Sequence, residues 1–163
     1  MRNAVLCAIL LALATAVPAA ASLPRHGRLV PGTALGGVHL GEPAASARGA
    51  LGFHGVCRGC AHPTWYFTYK PFDRHGLGVE LTRGRVSAVY TLWQPAGWTG
   101  PRGLALGAFQ GAITAAAGTL IPIQCDGYQA LVRDAPRTRT AYYVYNGKLW
   151  GFGLFARGSD PCR

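Results

Sequence analysis

The sequence predicts an α+β fold built from two tandem repeats, each a short helix packed on an antiparallel sheet, after a cleaved signal peptide. The first observation is an internal repeat: VHLGEPAASARGALG, from Val38 to Gly52, returns as LALGAFQGAITAAAG, from Leu104 to Gly118. Both copies carry helix-compatible residues between a Leu-Gly pair and a final glycine that can end a helix. The second observation is the alternation of apolar and polar residues after the first copy, which is typical of half-buried antiparallel strands.

The N-terminus has the pattern of a secretory signal peptide over residues 1–21. Arg2 precedes an apolar run that ends at Val17, and alanines occupy positions 19 to 21, as expected for cleavage before Ser22. The apolar run is too short to span a membrane comfortably. We therefore expect a secreted or cell-envelope protein with no transmembrane segment in the mature chain.

The mature chain divides into four predicted segments. Residues 22–37 form an extended N-terminal arm, 38–93 the first repeat, 94–103 a Pro/Gly-rich linker and 104–163 the second repeat. Pro43 suits the first position of the first helix, where proline is favoured. The predicted strands cover residues 65–69, 77–82, 86–93, 129–133, 140–145 and 149–155, with a hairpin turn at Asn146-Gly147.

The chain is strongly basic, with 16 Lys and Arg against 6 Asp and Glu and a formal net charge of +10. This balance favours anionic partners such as wall polymers, membrane surfaces or an acidic protein face. The arginines are scattered rather than clustered, so a solvated surface is favoured over a specific nucleic-acid site. One alternative function is therefore that of a basic cell-envelope or wall-associated structural protein that binds an anionic polymer.

Cys57 and Cys60 form a C-x2-C motif between histidines at positions 54 and 62. These are ligand types that zinc accepts, so a metal or thiol-redox protein centred on this loop is a third hypothesis. An exported chain in which an even number of cysteines survives signal cleavage favours disulfides instead. Of the three pairings, Cys57–Cys60 with Cys125–Cys162 respects the repeat, while crossed pairings between the repeats stay open. We expect no metal and no cofactor.

No catalytic constellation stands out in the sequence. The serines at positions 22, 46, 87 and 159 lie in no G-x-S-x-G motif, and the carboxylates show no pairing at helical or cross-strand spacing. The glycines form neither a P-loop nor a dinucleotide fingerprint. We therefore predict that the protein is not an enzyme.

The strand pattern predicts an aromatic sheet surface that faces away from the helices. If the apolar residues of the first-repeat strands point to the helices, the opposite face carries Trp93, Tyr143, Tyr145, Trp150 and Phe152. Tyrosine and tryptophan concentrate binding energy in protein interfaces, so we predict that these five residues form a partner-binding face. The alternatives are that the repeats pack against each other or that the strand phase is shifted by one residue, which buries the rings.

The two Leu-Gly…Gly helix frames, at residues 40–52 and 106–118, carry a family resemblance. With the strands that follow, they resemble the β-lactamase inhibitory proteins and the related small exported domains of outer-membrane assembly lipoproteins, over residues 38–157. The segments PGTALGGVHLG, CRGC, TWYFTY, GLGVEL, YTLW and WGFGLF are also similar to a group of uncharacterised secreted proteins from high-GC bacteria, which implies no function. The inhibitor resemblance implies a concave aromatic sheet face that grips a protein partner. We thus expect a secreted, non-catalytic binding or inhibitor-like module.

Overall fold

The computed structural model describes residues 22–52, 55–71, 73–95 and 97–163, and the predicted signal peptide lies outside these ranges. The described strands are β1 (Leu29–Val30), β2 (Ala34–Leu35), β3 (Val38–His39), β4 (Gly55–Cys57), β5 (Thr64–Thr68), β6 (Gly76–Thr82), β7 (Arg85–Leu92), β8 (Ile121–Gln124), β9 (Gln129–Asp134), β10 (Thr138–Tyr145) and β11 (Lys148–Ala156). The described helices are α1 (Ala44–Leu51) and α2 (Gln110–Ala117), with a 3-10 turn at Pro101–Gly103.

Eight of the described strands form one antiparallel sheet, in the order β4-β5-β6-β7-β11-β10-β9-β8. The structure is 44% strand and 14% helix, so the fold is mostly β. The prediction of a balanced α+β fold with two helix-on-sheet repeats is therefore wrong. Strand β11 pairs directly with β7, with Leu154 opposite Val89, and this pairing joins two four-stranded halves into a continuous sheet.

The individual elements are predicted better than their assembly. Both helices are confirmed, and the six predicted strands are confirmed to within two residues at each end. The edge strands β4 and β8 are missed, because β4 has only three residues and β8 contains Pro122, which argues against a strand in a sequence pattern. Residues 22–37 do more than extend along the surface: Leu29 in β1 and Leu35 in β2 are fully buried.

The Leu-Gly segment before each helix is fixed to the sheet by the same backbone hydrogen bond. Gly41 N–H donates to the Val86 carbonyl at 2.7 Å, and Gly107 N–H donates to the Leu149 carbonyl at 2.7 Å. Both glycines have positive φ angles, 81° and 87°, in the left-handed region that favours glycine. Each helix therefore starts beside the last strand of its own half of the sheet.

The two faces of the large sheet carry separate cores. The helix face is the one that α1 and α2 cover, and the buried residues of both helices belong to a single cluster that includes Val79 and Phe152. The tail face is the opposite one, which residues 157–163 cross, and its cluster contains Tyr90, Tyr143 and Phe155. A sheet buried on both faces leaves little polar alternation in its central strands.

A β-bulge in each half changes which side chains share a face. The pairing of β7 with β6 skips Ser87, and the pairing of β11 with β10 skips Trp150. One extra residue shifts the side-chain alternation of the strand by one. Beyond Trp150, the side chain of Phe152 therefore belongs to the helix face and that of Phe155 to the tail face.

Candidate functional site: an aromatic pocket on the tail face

Residues 157–163 cross the tail face, which carries two depressions, an aromatic pocket and a polar cleft. A disulfide joins Cys162 to Cys125. Next to it, the Pro161 carbonyl accepts a hydrogen bond from the Tyr143 hydroxyl at 2.9 Å. The crossing segment is thus held to the sheet by a covalent bond and a buried hydrogen bond.

The aromatic pocket has a volume of about 300 Å³ and lies where β7 ends, beside the turn that joins β8 to β9. Trp93 is 50% exposed and Tyr145 is 53% exposed. Trp93 and Trp150 meet edge to face with ring centroids 6.0 Å apart, and the Tyr128 ring lies 5.6 Å from that of Trp150. Edge-to-face and tilted ring contacts of this kind stabilise the rings against one another. The lining residues are Trp93, Asp126, Gly127, Tyr128, Tyr145 and Trp150.

Trp93 has an unusual backbone conformation for a large side chain. Its φ is 52°, in the left-handed region that costs an L-residue about 1–2 kcal/mol. The guanidinium of Arg74 lies over its ring, 5.6 Å from the centroid. A strained conformation persists only where its surroundings hold it and is frequent at binding sites, so the exposed Trp93 ring is a candidate contact residue.

Tyr143 supports the pocket from below. It is buried, and its ring centroid lies 6.3 Å from that of Trp150 and 5.5 Å from that of Tyr128. Burial raises the pKa of Tyr143 well above its usual value, and burial also raises the pKa of Tyr128. Both phenols are therefore neutral at physiological pH and act as hydrogen-bond donors. The Tyr128 hydroxyl donates to the backbone carbonyl of Arg163 at 2.6 Å.

The structure brings together three of the five residues predicted to form a partner-binding face. Trp93, Tyr145 and Trp150 line the pocket, and Tyr143 lies beneath them. Phe152 is 0% exposed and belongs to the core of the helix face. Its placement differs from the prediction because the bulge at Trp150 reverses the alternation that follows it.

Asp126 and Tyr128 are site residues that sequence reasoning missed. Both lie in the turn between β8 and β9, next to Cys125, which the sequence marks only as a disulfide position. The Asp-Gly pair at 126–127 is a local turn signal. Its approach to Trp150 depends on the order of strands in the sheet, which no local signal reveals.

The polar cleft lies between the crossing segment and the loop that contains Cys60, with a volume of about 930 Å³. Glu80 is buried at its floor and accepts hydrogen bonds from the Arg163 guanidinium, with Oε2 3.0 Å from Nη2. The same guanidinium lies over the rings of Tyr90 and Phe155, 5.6 and 5.0 Å from their centroids. Burial lowers the pKa of Arg163, but Glu80, together with Tyr143 and Tyr90, raises this pKa by more, so the net shift is upward. The floor of the cleft is thus a neutralised internal ion pair.

Both predicted disulfides are confirmed, with S–S distances of 2.08 Å for Cys57–Cys60 and 2.00 Å for Cys125–Cys162. In the part of the chain that the structure describes, no group of three or more His, Cys, Asp or Glu side chains is placed to hold a metal ion. His54, one of the two histidines that flank the C-x2-C motif, lies outside the described residues. Neither described helix has the length and apolar character that a membrane span requires.

No protein-family model, curated protein or solved structure matches the chain.

Proposed function

We propose that the protein is a secreted, non-catalytic binding module that engages a protein partner through the aromatic pocket. The observation that carries the proposal is the exposure of Trp93 and Tyr145 at the mouth of a rigid pocket. Burial of these two large rings would stabilise the fold, and their half-exposed positions do without that stabilisation. Tryptophan and tyrosine are also the residues most enriched among the hot spots of protein interfaces.

The size and rigidity of the pocket support a protein ligand. A volume of about 300 Å³ is at the small end for sites that enclose a drug-sized ligand, and it suits one inserted side chain of a larger partner. Trp150 and Tyr128 are held by ring contacts, and Tyr128 is bonded to the crossing segment. A preformed site lowers the entropy lost on binding.

The positive charge gives weaker support to the alternative role in binding an anionic envelope polymer. Many of the basic side chains have partners within the fold, so part of the charge stabilises the structure. A hydrogen bond to a backbone carbonyl fixes such an arginine but leaves its charge, and among the described residues a carboxylate offsets the charge only at Arg139 and Arg163. The guanidinium groups that donate to a backbone or carboxylate oxygen are those of Arg85, Arg102, Arg133, Arg139, Arg157 and Arg163.

Capture of a partner by the mature protein tests the proposal. The purified protein is immobilised and exposed to culture-medium and cell-envelope fractions of its host, beside Trp93→Ala and Tyr145→Ala. Ile121→Ala is the matched control, because Ile121 is 56% exposed but does not line the pocket. We expect the wild type and the control to retain a partner whose affinity falls about tenfold or more in both pocket variants.

Two outcomes would contradict the proposal. If both pocket variants keep their fold by circular dichroism and bind the partner as the wild type does, the aromatic pocket is not the contact site. If capture is insensitive to the pocket but is lost on raising the salt to about 0.5 M, charge drives the interaction and the envelope-polymer role is favoured.

A further inference from the structure

We propose that the aromatic pocket receives an arginine side chain of the partner, an inference that rests on the proposed function. The face of an aromatic ring carries negative partial charge and attracts a cation held within about 6 Å of its centroid. The pocket places four aromatic side chains around a volume of about 300 Å³. These four rings are those of Trp93, Tyr128, Tyr145 and Trp150.

Asp126 adds a full negative charge to the same pocket. Its exposed carboxylate makes no hydrogen bond or ion pair with any residue that the structure describes. Of the six side-chain carboxylates, Glu42 is half-buried beside the start of α1 with its Oε1 unpaired, and the other four have partners. The partnered carboxylates are Asp73 with His75, Glu80 with Arg163, Asp134 with Arg139, and Asp160 with the Cys162 N–H.

An exposed carboxylate without a partner therefore stands at the aromatic pocket, on a chain with a net charge of +10. Charges farther away than the Debye length, about 8 Å at physiological ionic strength, are largely screened. The potential that an entering side chain meets is thus set by nearby groups: Asp126 and the ring faces attract a cation, and Arg74, over the Trp93 ring, opposes them. This local environment favours a cation.

Arginine fits this environment better than a compact ammonium group. Its planar guanidinium stacks on aromatic faces and pairs with a carboxylate through parallel hydrogen bonds. The protein already holds one guanidinium in both ways, because Arg163 lies over the Tyr90 and Phe155 rings and pairs with Glu80. A second one, that of Arg74, lies over the Trp93 ring. Arg74 is not among the residues that line the pocket, so the pocket itself is available to a further guanidinium.

Binding of a model arginine to the full mature protein tests the inference directly. N-acetylarginine amide is titrated while the indole N–H signals of Trp93 and Trp150 are followed by NMR, with the buried Trp98 as an internal reference. N-acetylcitrulline amide, which has the same shape without the charge, is the matched probe. We expect saturating shifts of Trp93 and Trp150 with the arginine compound, and an affinity about fivefold or more weaker for the citrulline compound.

Charge variants of the protein measure how much Asp126 contributes to binding. We expect Asp126→Asn to weaken binding of N-acetylarginine amide about three- to tenfold. Asp134→Asn changes the net charge by the same amount at a carboxylate that does not line the pocket, and it should leave the affinity unchanged.

Equal binding of the citrulline compound, or equal affinities of Asp126→Asn and Asp134→Asn, would overturn the inference. Its failure is distinguishable from failure of the proposed function. If Trp93→Ala abolishes partner capture but the arginine compound does not bind, the pocket binds a partner through other chemistry. If the arginine compound binds but capture is insensitive to Trp93→Ala, the cation site stands and the proposed function fails.

Discussion

Tyr143 links the aromatic pocket to the crossing segment through one buried hydrogen bond. Its phenol donates to the Pro161 carbonyl at 2.9 Å. Tyr143→Phe keeps the ring but leaves this carbonyl unpaired, which we expect to lower the free energy of unfolding by about 1–2 kcal/mol. Urea denaturation at pH 7 measures the loss. The control is Tyr145→Phe, where the hydroxyl of an exposed ring is removed and the change should stay within about 0.5 kcal/mol.

The same variant gives a pH dependence with a defined sign. Burial raises the folded-state pKa of Tyr143, so the folded protein favours the neutral phenol. The stability that this shift contributes is full below the unfolded-state pKa of about 10 and is lost as the pH rises from there towards the raised folded-state pKa. The stability difference between the wild type and Tyr143→Phe should therefore shrink above about pH 10. A difference that stays constant from pH 7 to pH 11 would contradict burial of the phenol.

At the level of elements, the two disulfides close rings of very different length. Cys57–Cys60 spans a separation of 3 residues, and Cys125–Cys162 spans 37. The chain-entropy model gives about 2 kcal/mol of stabilisation for the shorter ring and about 4 kcal/mol for the longer. Calorimetry should thus show a larger fall in the melting temperature for Cys125→Ser/Cys162→Ser than for Cys57→Ser/Cys60→Ser. Equal falls would contradict the entropic account.

An element whose conformation depends on adjacent residues can be predicted from the sequence. A strand pairing between residues that are far apart in the sequence cannot. The hairpin turn at Asn146-Gly147 is an example of the first kind, with φ angles of 49° and 71° at these two residues. The pairing of β7 with β11 is of the second kind, because Val89 and Leu154 have no local signal that they meet. That pairing turns two expected modules into one sheet.

The same contrast explains which site residues the sequence identifies. Trp93, Tyr145 and Trp150 are large aromatic residues at or beside strand ends, so composition and alternation suffice to select them. The sequence prediction puts Phe152 on the wrong face of the sheet. Strand β11 is apolar on both faces, so its sequence does not reveal the one-residue shift at the bulge. Asp126 joins the pocket only through the order of the strands and the position of the crossing segment.

At the scale of the whole molecule, the core of the helix face spans both halves of the sheet. Val79 and Val89 of the first half belong to the same buried cluster as Tyr142 and Leu154 of the second half. If one half of the sheet unfolds, the buried residues of the other half are exposed to water as well. The halves should therefore unfold together, as expected for a single cooperative unit.

A urea titration that follows two tryptophans tests this cooperativity. Trp65 lies in β5 and Trp150 in β11, so their indole N–H signals report on opposite halves, and we expect one shared midpoint. Leu154→Ala removes a fully buried side chain at the junction of the halves, which costs about 2–5 kcal/mol, and it should lower the Trp65 and Trp150 midpoints equally. If the variant lowers the Trp150 midpoint alone, the halves fold independently, and the β7–β11 pairing docks two stable units rather than completing one core.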